Sequence, residues 1–276
     1  MASIPLEDSF VDILGKAQRG LKLTDEQIAA EAGVAVADWI AAKGGRVDPT
    51  ILRRLAATLR LAPEQLIASA QKAWYPQPVE LDGLAAFNTT YEDMTVNSYL
   101  VWDPATRAAA AFDTGGTCAP MLETARRRGL KIQLILLTHT HVDHIADLDR
   151  LKAETGATVH ASRLESVPGA ATFPAGHTFA VGGLQIETRQ TTGHSVGGTT
   201  YVIRGLARPV AVVGDALFAG SMGGGGVSYA DALASNRAQI FTLPDDTVIC
   251  PGHGPLTTVA EEMRHNPFYP EFKTNQ

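Results

Sequence analysis

The chain has 276 residues, of which 45% are hydrophobic and 19% are charged. These proportions are typical of a globular protein, and no apolar run is long enough to cross a bilayer. The formal net charge of −6 argues against nucleic acid as the main partner of the whole chain.

The N-terminal residues contain neither the basic nor the apolar segment of a secretory signal. The chain has two cysteines, Cys118 and Cys250, and neither lies in a Cys-x-x-Cys motif. We therefore expect a cytoplasmic protein with two free, buried thiols and no membrane partner.

Residues 7–73 show only helical patterns, which predict a compact all-α bundle. Thr24 and Gln27 form a capping pattern at the start of the second helix, and Gly33 marks its end. Pro49 opens the fourth helix and Pro63 opens the fifth, where a missing N–H costs nothing. The five predicted helices cover residues 8–18, 24–33, 35–43, 51–59 and 64–73.

From Trp74 onward, strand-like runs alternate with helices and turns. We expect strands at residues 94–102, 108–112, 131–137, around 158, 184–191, 199–203, 210–213 and 247–250. The predicted helices cover residues 119–128, 145–154 and 230–242. The strand over residues 131–137 is an apolar run of the kind buried on both faces. Because the order of elements recurs, we expect two α/β halves packed as a sandwich, and two domains, 1–73 and 74–276.

Seven side chains that can bind a metal ion follow predicted strands or open the next helix. They are His139, His141, Asp143, His144, His194, Asp215 and His253. In an extended segment, side chains two residues apart point the same way, so His139 and His141 can share one ion. Asp143 and His144 come a turn later and can bind a second ion. His160, His177 and His265 lie outside this pattern and are expected to be packed or surface residues.

The chemistry of this set favours a pair of zinc, iron or manganese ions. All seven ligands are imidazoles or carboxylates, and none is a thiolate. Two ions roughly 3.5–4 Å apart can share a hydroxide that is available at neutral pH. Asp215 is the expected bridging ligand, because it is the lone acid among the separate loops.

The segment Thr138-His139-Thr140-His141-Val142-Asp143-His144 resembles the T-H-x-H-x-D-H signature of the metallo-β-lactamase superfamily. The resemblance covers roughly residues 80–270 and implies an α/β fold, the four-layer αββα sandwich, preceded here by the all-α bundle. Asp113, in Phe112-Asp113-Thr114-Gly115, resembles the early aspartate–glycine turn of that family. It is therefore expected near the site in a supporting role.

Residues 214–221, 243–248, 251–258 and 266–268 resemble corresponding stretches of glyoxalase II-like hydrolases. That resemblance implies that His139, His141 and His194 bind one ion. It assigns Asp143, His144 and His253 to the other, with Asp215 bridging. The implied reaction is hydrolysis of a small-molecule thioester such as a hydroxyacyl-glutathione, with two ions, preferably zinc, and Asp143 and Asp215 as catalytic carboxylates. No residue is predicted to bind an organic cofactor.

Two features depart from the glyoxalase II pattern. After Ser221 the relatives usually carry an arginine and an acidic residue, whereas this chain has Met222 followed by glycines at 223–226. A glycine run supplies flexibility and backbone N–H groups but no charge, so a substrate contact is expected to be missing. The sequence also predicts no counterpart of the C-terminal helical domain that helps glyoxalase II enzymes bind glutathione.

The N-terminal helices resemble a helix-turn-helix domain of the lambda-repressor type through residues 24–34, with residues 35–43 in the place of the recognition helix. Residues 1–73 contain nine Lys/Arg and nine Asp/Glu, so the domain carries no net charge. The helix over residues 35–43 offers Asp38, Trp39 and Lys43 but no Arg, Asn or Gln to contact base edges. This pattern favours a homo-oligomer contact or a cover over the active site above DNA binding.

Two alternatives to thioester hydrolysis stay open at this point. A persulfide dioxygenase would use one iron held by His139, His194 and Asp215, which this chain also has. A DNA-binding regulator with a hydrolase-like sensing domain would use the N-terminal helices, although their neutral charge weakens that hypothesis.

Overall fold

The computed structural model of the chain describes residues 4–273. Five helices precede the first strand, as the sequence predicts. They are α1 (Phe10–Leu21), α2 (Asp25–Ala32), α3 (Val36–Lys43), α4 (Pro49–Thr58) and α5 (Pro63–Ala70). The helix-turn-helix resemblance of this region stays a prediction.

The boundaries of these helices follow the predicted capping residues. Thr24 and Gln27 exchange hydrogen bonds between side chain and backbone, which satisfies two amide groups at the start of α2. Gly33 ends α2 in the left-handed region, with φ of 63°. Pro49 and Pro63 are the first residues of α4 and α5.

Two six-stranded sheets follow, each with its strands in sequential order. The first contains β1 (Leu84–Tyr91), β2 (Met94–Trp102), β3 (Ala108–Phe112), β4 (Lys131–Leu136), β5 (Thr158–Ser162) and β6 (Ala171–Phe173). The second contains β7 (Thr178–Val181), β8 (Leu184–Gln190), β9 (Thr199–Arg204), β10 (Val210–Gly214), β11 (Val248–Pro251) and β12 (Thr257–Thr258). Strands β3 to β6 are parallel, as are β10 and β11, and the other neighbours are antiparallel.

Helices accompany both sheets. They are α6 (Ala119–Arg128), α7 (Val142–Ile145), α8 (Leu148–Thr155), α9 (Tyr229–Ser235) and α10 (Val259–His265), with a π-helix at Asn236–Ile240 and a 3-10 helix at Pro270–Lys273. None of the helices in residues 4–273 combines the length and apolar content needed to span a membrane.

The sheets pack face to face and helices cover both outer surfaces, which confirms the predicted αββα sandwich. Alternate residues of β3 show the division: Ala110 and Phe112 pack between the sheets, whereas Ala109 and Ala111 pack with α6 and α8. The outer face of the second sheet shares one core with the N-terminal helices. That core includes Leu14, Leu52, Leu55, Val202, Ala211, Val213 and Ile249.

The structure corrects three details of the predicted elements. Strand β4 is not buried on both faces throughout, because Gln133 is the extra residue of a β-bulge between β3 and β4 and is exposed. The predicted helix over residues 145–154 begins later, as α8 at Leu148, and Ile145 instead ends the short helix α7. Asp147 lies between the two helices and accepts a hydrogen bond from the backbone N–H of Cys118. The predicted helix over residues 230–242 becomes a π-helix after Ser235.

The sequence patterns missed β1, β6, β7, β12 and α10. Strands β6 and β7 have three and four residues, too few to show an alternation. Both cysteines are free and buried, as predicted.

Candidate metal centre

All seven predicted ligands converge on one site, where they form two neighbouring groups. The first group contains His139, His141, His194 and Asp215, and the second contains Asp143, His144 and His253. Within each group the candidate ligand atoms lie within 4.8 Å of one another. The scaffold explains the convergence, because the residues follow β4, β8, β10 and β11, and Asp143 and His144 lie in α7. Each group can hold one metal ion.

In the first group, three imidazoles surround one point. Nε2 of His139 and Nε2 of His194 each lie 3.1 Å from Nδ1 of His141. Nε2 of His194 also lies 3.3 Å from Oδ2 of Asp215. The side chains of His139 and His141 therefore lie together, as expected for residues two apart in an extended segment. His141 is exposed, whereas His139 is buried, so the group opens to solvent on the side of His141.

Asp215 connects the two groups. Its Oδ1 atom lies 3.3 Å from Nε2 of His144, and its Oδ2 atom lies 3.6 Å from Nε2 of His253. Asp143 completes the second group, with Oδ2 lying 3.3 Å from Nε2 of His253 and 3.5 Å from Nε2 of His144. The carboxylate of Asp215 is thus placed to contact ions in both groups.

Hydrogen bonds at the ring nitrogen that faces away from the metal centre fix the orientation of His194 and His253, and His139 and His144 are held in the same way by Thr138 and Asp113. Nδ1 of His194 lies 2.9 Å from the carbonyl oxygen of Gly224, and Nδ1 of His253 lies 2.7 Å from that of Thr95. A carbonyl can only accept, so each Nδ1 carries the proton and Nε2 is left as a ligand. His141 is the exception, since its Nδ1 faces the group.

Asp113 supports ligands of both groups. Its Oδ2 atom lies 2.9 Å from Nδ1 of His144, and its two oxygens accept hydrogen bonds from the backbone N–H and the hydroxyl of Thr138. The hydroxyl of Thr138 in turn lies 3.0 Å from Nδ1 of His139. Asp113 is therefore a positioning residue, in the supporting role that the sequence resemblance predicted. Its backbone lies in the left-handed region, with φ of 55°.

Two buried atoms of the centre have no hydrogen-bond partner within residues 4–273: Nε2 of His144 and Oδ1 of Asp215. Buried polar groups are almost always satisfied, and leaving one unpaired costs about 1–3 kcal/mol. A ring nitrogen and a carboxylate oxygen can both serve as metal ligands, and these two atoms lie 3.3 Å apart. The residues present therefore fit a pair of metal ions.

The charges of the side chains favour the same arrangement. Burial alone would raise the pKa of Asp215, but the imidazoles of His144, His139 and His253 outweigh it and hold that pKa well below its usual range. Burial lowers the pKa of His139, so this ring is neutral at physiological pH and its Nε2 lone pair is available.

Glycines next to the ligands leave room that a side chain would fill. A Cβ atom at Gly252 would lie 2.0 Å from Oδ1 of Asp215. A Cβ atom at Gly223 would lie 1.9 Å from the backbone oxygen of Asp215 and 3.1 Å from Nδ1 of His194. The chain must pass closely behind the ligands at these two positions, which only glycine permits.

A model of the metallo-beta-lactamase superfamily matches residues 91–253, more than half of the chain. This match spans both groups of ligands. The chain belongs to the metallo-beta-lactamase superfamily.

One curated relative and two solved structures are each similar to this chain over about two thirds of its length. Hydroxyacylglutathione hydrolase GloC of Haemophilus influenzae is 29% identical over 62% of this chain and 92% of its own length. The crystal structure of ETHE1 from Myxococcus xanthus superposes with a TM-score of 0.60 at 28% identity, over 68% of this chain and 85% of that one. The structure of TTHA1623 in a di-iron-bound form gives a TM-score of 0.54 at 26% identity, over 66% of this chain and 99% of that one.

Sequence analysis did not identify Glu165, which forms hydrogen bonds to two of the loops that carry candidate ligands. Its Oε1 atom accepts hydrogen bonds of 2.8 Å from the backbone and the hydroxyl of Thr140, and Oε2 accepts one of 2.8 Å from the backbone N–H of Gly197. The loop that carries His139 and His141 is thereby tied to the loop that carries His194. The sequence around Glu165 contains no motif that predicts this role, because its partners include backbone N–H groups of loops that are distant in the sequence.

A cavity of about 580 Å³ opens over the first group. It is lined by His141 and His194, by residues 224–227, and by Lys16, Arg19 and Gly20 of α1. The sequence suggested that the N-terminal helices could cover the active site, but no pattern showed which helix lies there.

We expect the substitution Asp113→Asn to weaken metal binding at both groups of ligands. Asparagine would place an N–H₂ group against either Nδ1 of His144 or the donors of Thr138, so one of these contacts becomes repulsive. Changes to such outer partners typically cost about 10–100-fold in metal affinity. Competition with a chromophoric chelator measures the affinity, and Asp149→Asn, an exposed position, is the matched control. Wild-type affinity in Asp113→Asn would contradict the role given to Asp113.

Proposed function

We propose that this protein is a dinuclear metal-dependent hydrolase of small-molecule thioesters. In this proposal His139, His141 and His194 hold one ion, Asp143, His144 and His253 hold the second, and Asp215 binds both. The observation that carries it is the position of the Asp215 carboxylate between the two groups, with an unpartnered buried oxygen.

The thioester substrate is supported by the relatives and by the sequence. The Haemophilus influenzae relative is named for hydroxyacylglutathione hydrolysis, and residues 214–221 and 251–258 resemble the glyoxalase II pattern. We propose zinc as the metal, and the di-iron form of the TTHA1623 structure makes iron the first alternative to test.

When bound, the two ions would supply a hydroxide nucleophile at neutral pH and polarise the thioester carbonyl. The protein's own residues hold the reacting groups in place. His141 and His194 line the cavity, so a carbonyl in the cavity lies against the first group. Asp143 is only partly buried, whereas His144 and His253 beside it are buried, so its carboxylate is the member of the second group nearest to solvent.

We propose that residues 1–73 form a helical domain that covers the active site of the domain at 74–276. The position of α1 at the cavity supports this role over DNA binding. In α3, Trp39 is buried and donates a hydrogen bond to Asp25, which also pairs with Lys43 at 3.1 Å. A homo-oligomer through these helices stays a prediction that light scattering would test.

Metal content per chain, measured on protein purified without added metal, tests the proposed function when the same sample is assayed with S-lactoylglutathione. We expect close to two ions and thioester turnover. Two ions without turnover of this or other thioesters would contradict the substrate class. A single iron, no turnover, and oxygen uptake with glutathione persulfide would instead support a dioxygenase that uses His139, His194 and Asp215. Reloading a metal-free preparation separates loss during purification from absence of a site.

Metal binding to the second group is expected to release protons and to weaken as the pH falls. Burial alone would lower the pKa of His253, but its hydrogen bond to Asp143 and the charge of Asp215 raise it to about 9. Asp215 and Asp113 similarly outweigh burial and raise the pKa of His144. Below these pKa values an ion must displace a proton, so affinity should fall by roughly tenfold per pH unit for each proton displaced. Zinc titration calorimetry at pH 7 in buffers of different ionisation enthalpy counts the protons, and a count of zero would contradict the prediction.

A further inference from the structure

One wall of the cavity over the metal centre is formed by the N-terminal helices. Lys16, Arg19 and Gly20 of α1 lie three and four residues apart, so they share one face of that helix. His141 and His194 of the metal centre line the same cavity. A substrate bound at the metal centre is therefore in reach of α1.

Helix α1 packs directly against the part of the chain that carries the metal centre. A Cβ atom at Gly20 would lie 2.2 Å from the ring of Tyr229 in α9, so the helix backbone packs directly on that ring. Lys16 donates a hydrogen bond of 2.8 Å to the carbonyl oxygen of Met222 and forms an ion pair with Asp8. Asp8 also accepts a hydrogen bond from Ser221. The face of α1 that lines the cavity is thus fixed relative to the metal ligands.

The two cations on this face differ in their surroundings. Lys16 is largely buried and its charge is compensated by Asp8. Arg19 is exposed, and within residues 4–273 its guanidinium has neither an ion-pair partner nor a side-chain hydrogen bond. It folds back over its own helix, 3.0 Å from where a Cβ atom of Gly15 would lie. Among the residues that the structure describes, no acidic side chain lines the cavity, so Arg19 supplies an uncompensated positive charge there.

Another part of the cavity lining carries no side-chain charge. Gly224, Gly225, Gly226 and Val227 line the cavity there, and a Cβ atom at Gly224 would meet nothing within 4 Å. This space can accept part of a substrate while Arg19 binds a charged group. A planar guanidinium pairs with a carboxylate through two parallel hydrogen bonds, which fixes orientation as well as position.

We propose that Arg19 binds a carboxylate of the substrate, and that the N-terminal helices thereby restrict this enzyme to anionic thioesters. The inference rests on the proposed thioester hydrolysis and adds the substrate class and a specificity-determining residue. The carboxylate can belong to the thiol half or to the acyl half of the thioester, and the test separates these two sources.

The test uses the zinc-loaded full chain and three thioesters. Acetyl-N-acetylcysteamine is neutral, the acetyl thioester of 3-mercaptopropionate carries its charge on the thiol half, and succinyl-N-acetylcysteamine carries it on the acyl half. We expect Arg19→Ala to raise KM for one of the two charged thioesters by roughly tenfold or more, with little change in kcat. KM for the neutral thioester should not change. Arg19→Lys should recover part of the loss, and Arg46→Ala, an exposed arginine of the same domain outside the cavity, should behave as wild type.

A second measurement decides the role of Arg19 without turnover. Calorimetry with 3-mercaptopropionate, succinate and N-acetylcysteamine compares binding to the zinc-loaded wild type and Arg19→Ala. We expect only the binding of a carboxylate ligand to weaken in the variant. If the wild type hydrolyses none of the thioesters but this difference remains, the proposed function fails and the anion site stands. Equal binding of both carboxylates to wild type and variant, or equal KM changes for charged and neutral thioesters, would overturn the assignment of Arg19.

Discussion

Asp215→Asn is expected to reduce hydrolysis roughly 1,000-fold and to lower the metal content from two ions per chain to one or fewer. The carboxylate oxygens of Asp215 lie 3.3 Å from Nε2 of both His194 and His144, which belong to different groups. The substitution keeps the shape of the side chain but removes its charge and replaces one oxygen with an amide nitrogen. In the proposed site this substitution removes the ligand shared by both ions, which is why the effect should exceed that of changing Asp113.

Elemental analysis and thioester turnover on the same preparation measure both effects of Asp215→Asn. The melting temperature with and without zinc provides a further measurement, because a bound ion stabilises the folded state and the variant should lose this shift. Asp149→Asn, on the exposed side of α8, controls for the loss of one negative charge. A variant that retains two ions and wild-type turnover would show that Asp215 does not bridge.

The convergence of the seven candidate ligands could be predicted from the sequence because it follows from local rules. The segment from Thr138 to His144 places its ligands by the extended backbone after β4 and by the turn into α7. His194, Asp215 and His253 come after strands β8, β10 and β11 of one sheet, so their loops meet at one edge of that sheet. Residue type and position relative to the strands were together enough to predict that these side chains lie close to one another.

The contacts that orient the ligands could not be predicted in the same way. His194 and His253 are held by the carbonyl oxygens of Gly224 and Thr95, and every residue carries such an oxygen. The use of Nδ1 by His141 likewise depends on how its ring is turned. Glu165 acts on backbone amides of two loops, so nothing about its neighbours in sequence distinguishes it from a surface glutamate.

The glycine run at residues 223–226 shows how the structure changes an interpretation. Sequence analysis expected it to provide flexibility, backbone N–H groups and no substrate charge. Gly223 is instead required by its close approach to the backbone of Asp215, and Gly224 supplies a carbonyl oxygen to His194. The positive charge at the cavity comes from Arg19, about 200 positions earlier in the chain. The packing of Gly20 on Tyr229 brings α1 next to the metal centre. Hydrophobic periodicity along the sequence does not predict a contact between elements so far apart in the chain.

Gly252→Ala is expected to lower metal content and to reduce hydrolysis at least 100-fold, although it adds only a methyl group. That methyl group would lie 2.0 Å from Oδ1 of Asp215 and 2.7 Å from Cε1 of His144. The backbone cannot move away easily, because Gly252 donates a hydrogen bond to Gly214 and accepts one from Asn97. The carboxylate must therefore rotate, which removes its oxygen from the second group.

Gly224→Ala is the matched control for Gly252→Ala in the measurement of metal content. It also adds one methyl group close to the ligands, but that group meets nothing within 4 Å. Elemental analysis should therefore find two ions in Gly224→Ala and fewer in Gly252→Ala, while circular dichroism reports whether both are folded. A folded Gly252→Ala protein with two ions and wild-type turnover would mean that Oδ1 of Asp215 is not a ligand. The unpartnered atom would then need another explanation, since burial without a partner is costly for a carboxylate.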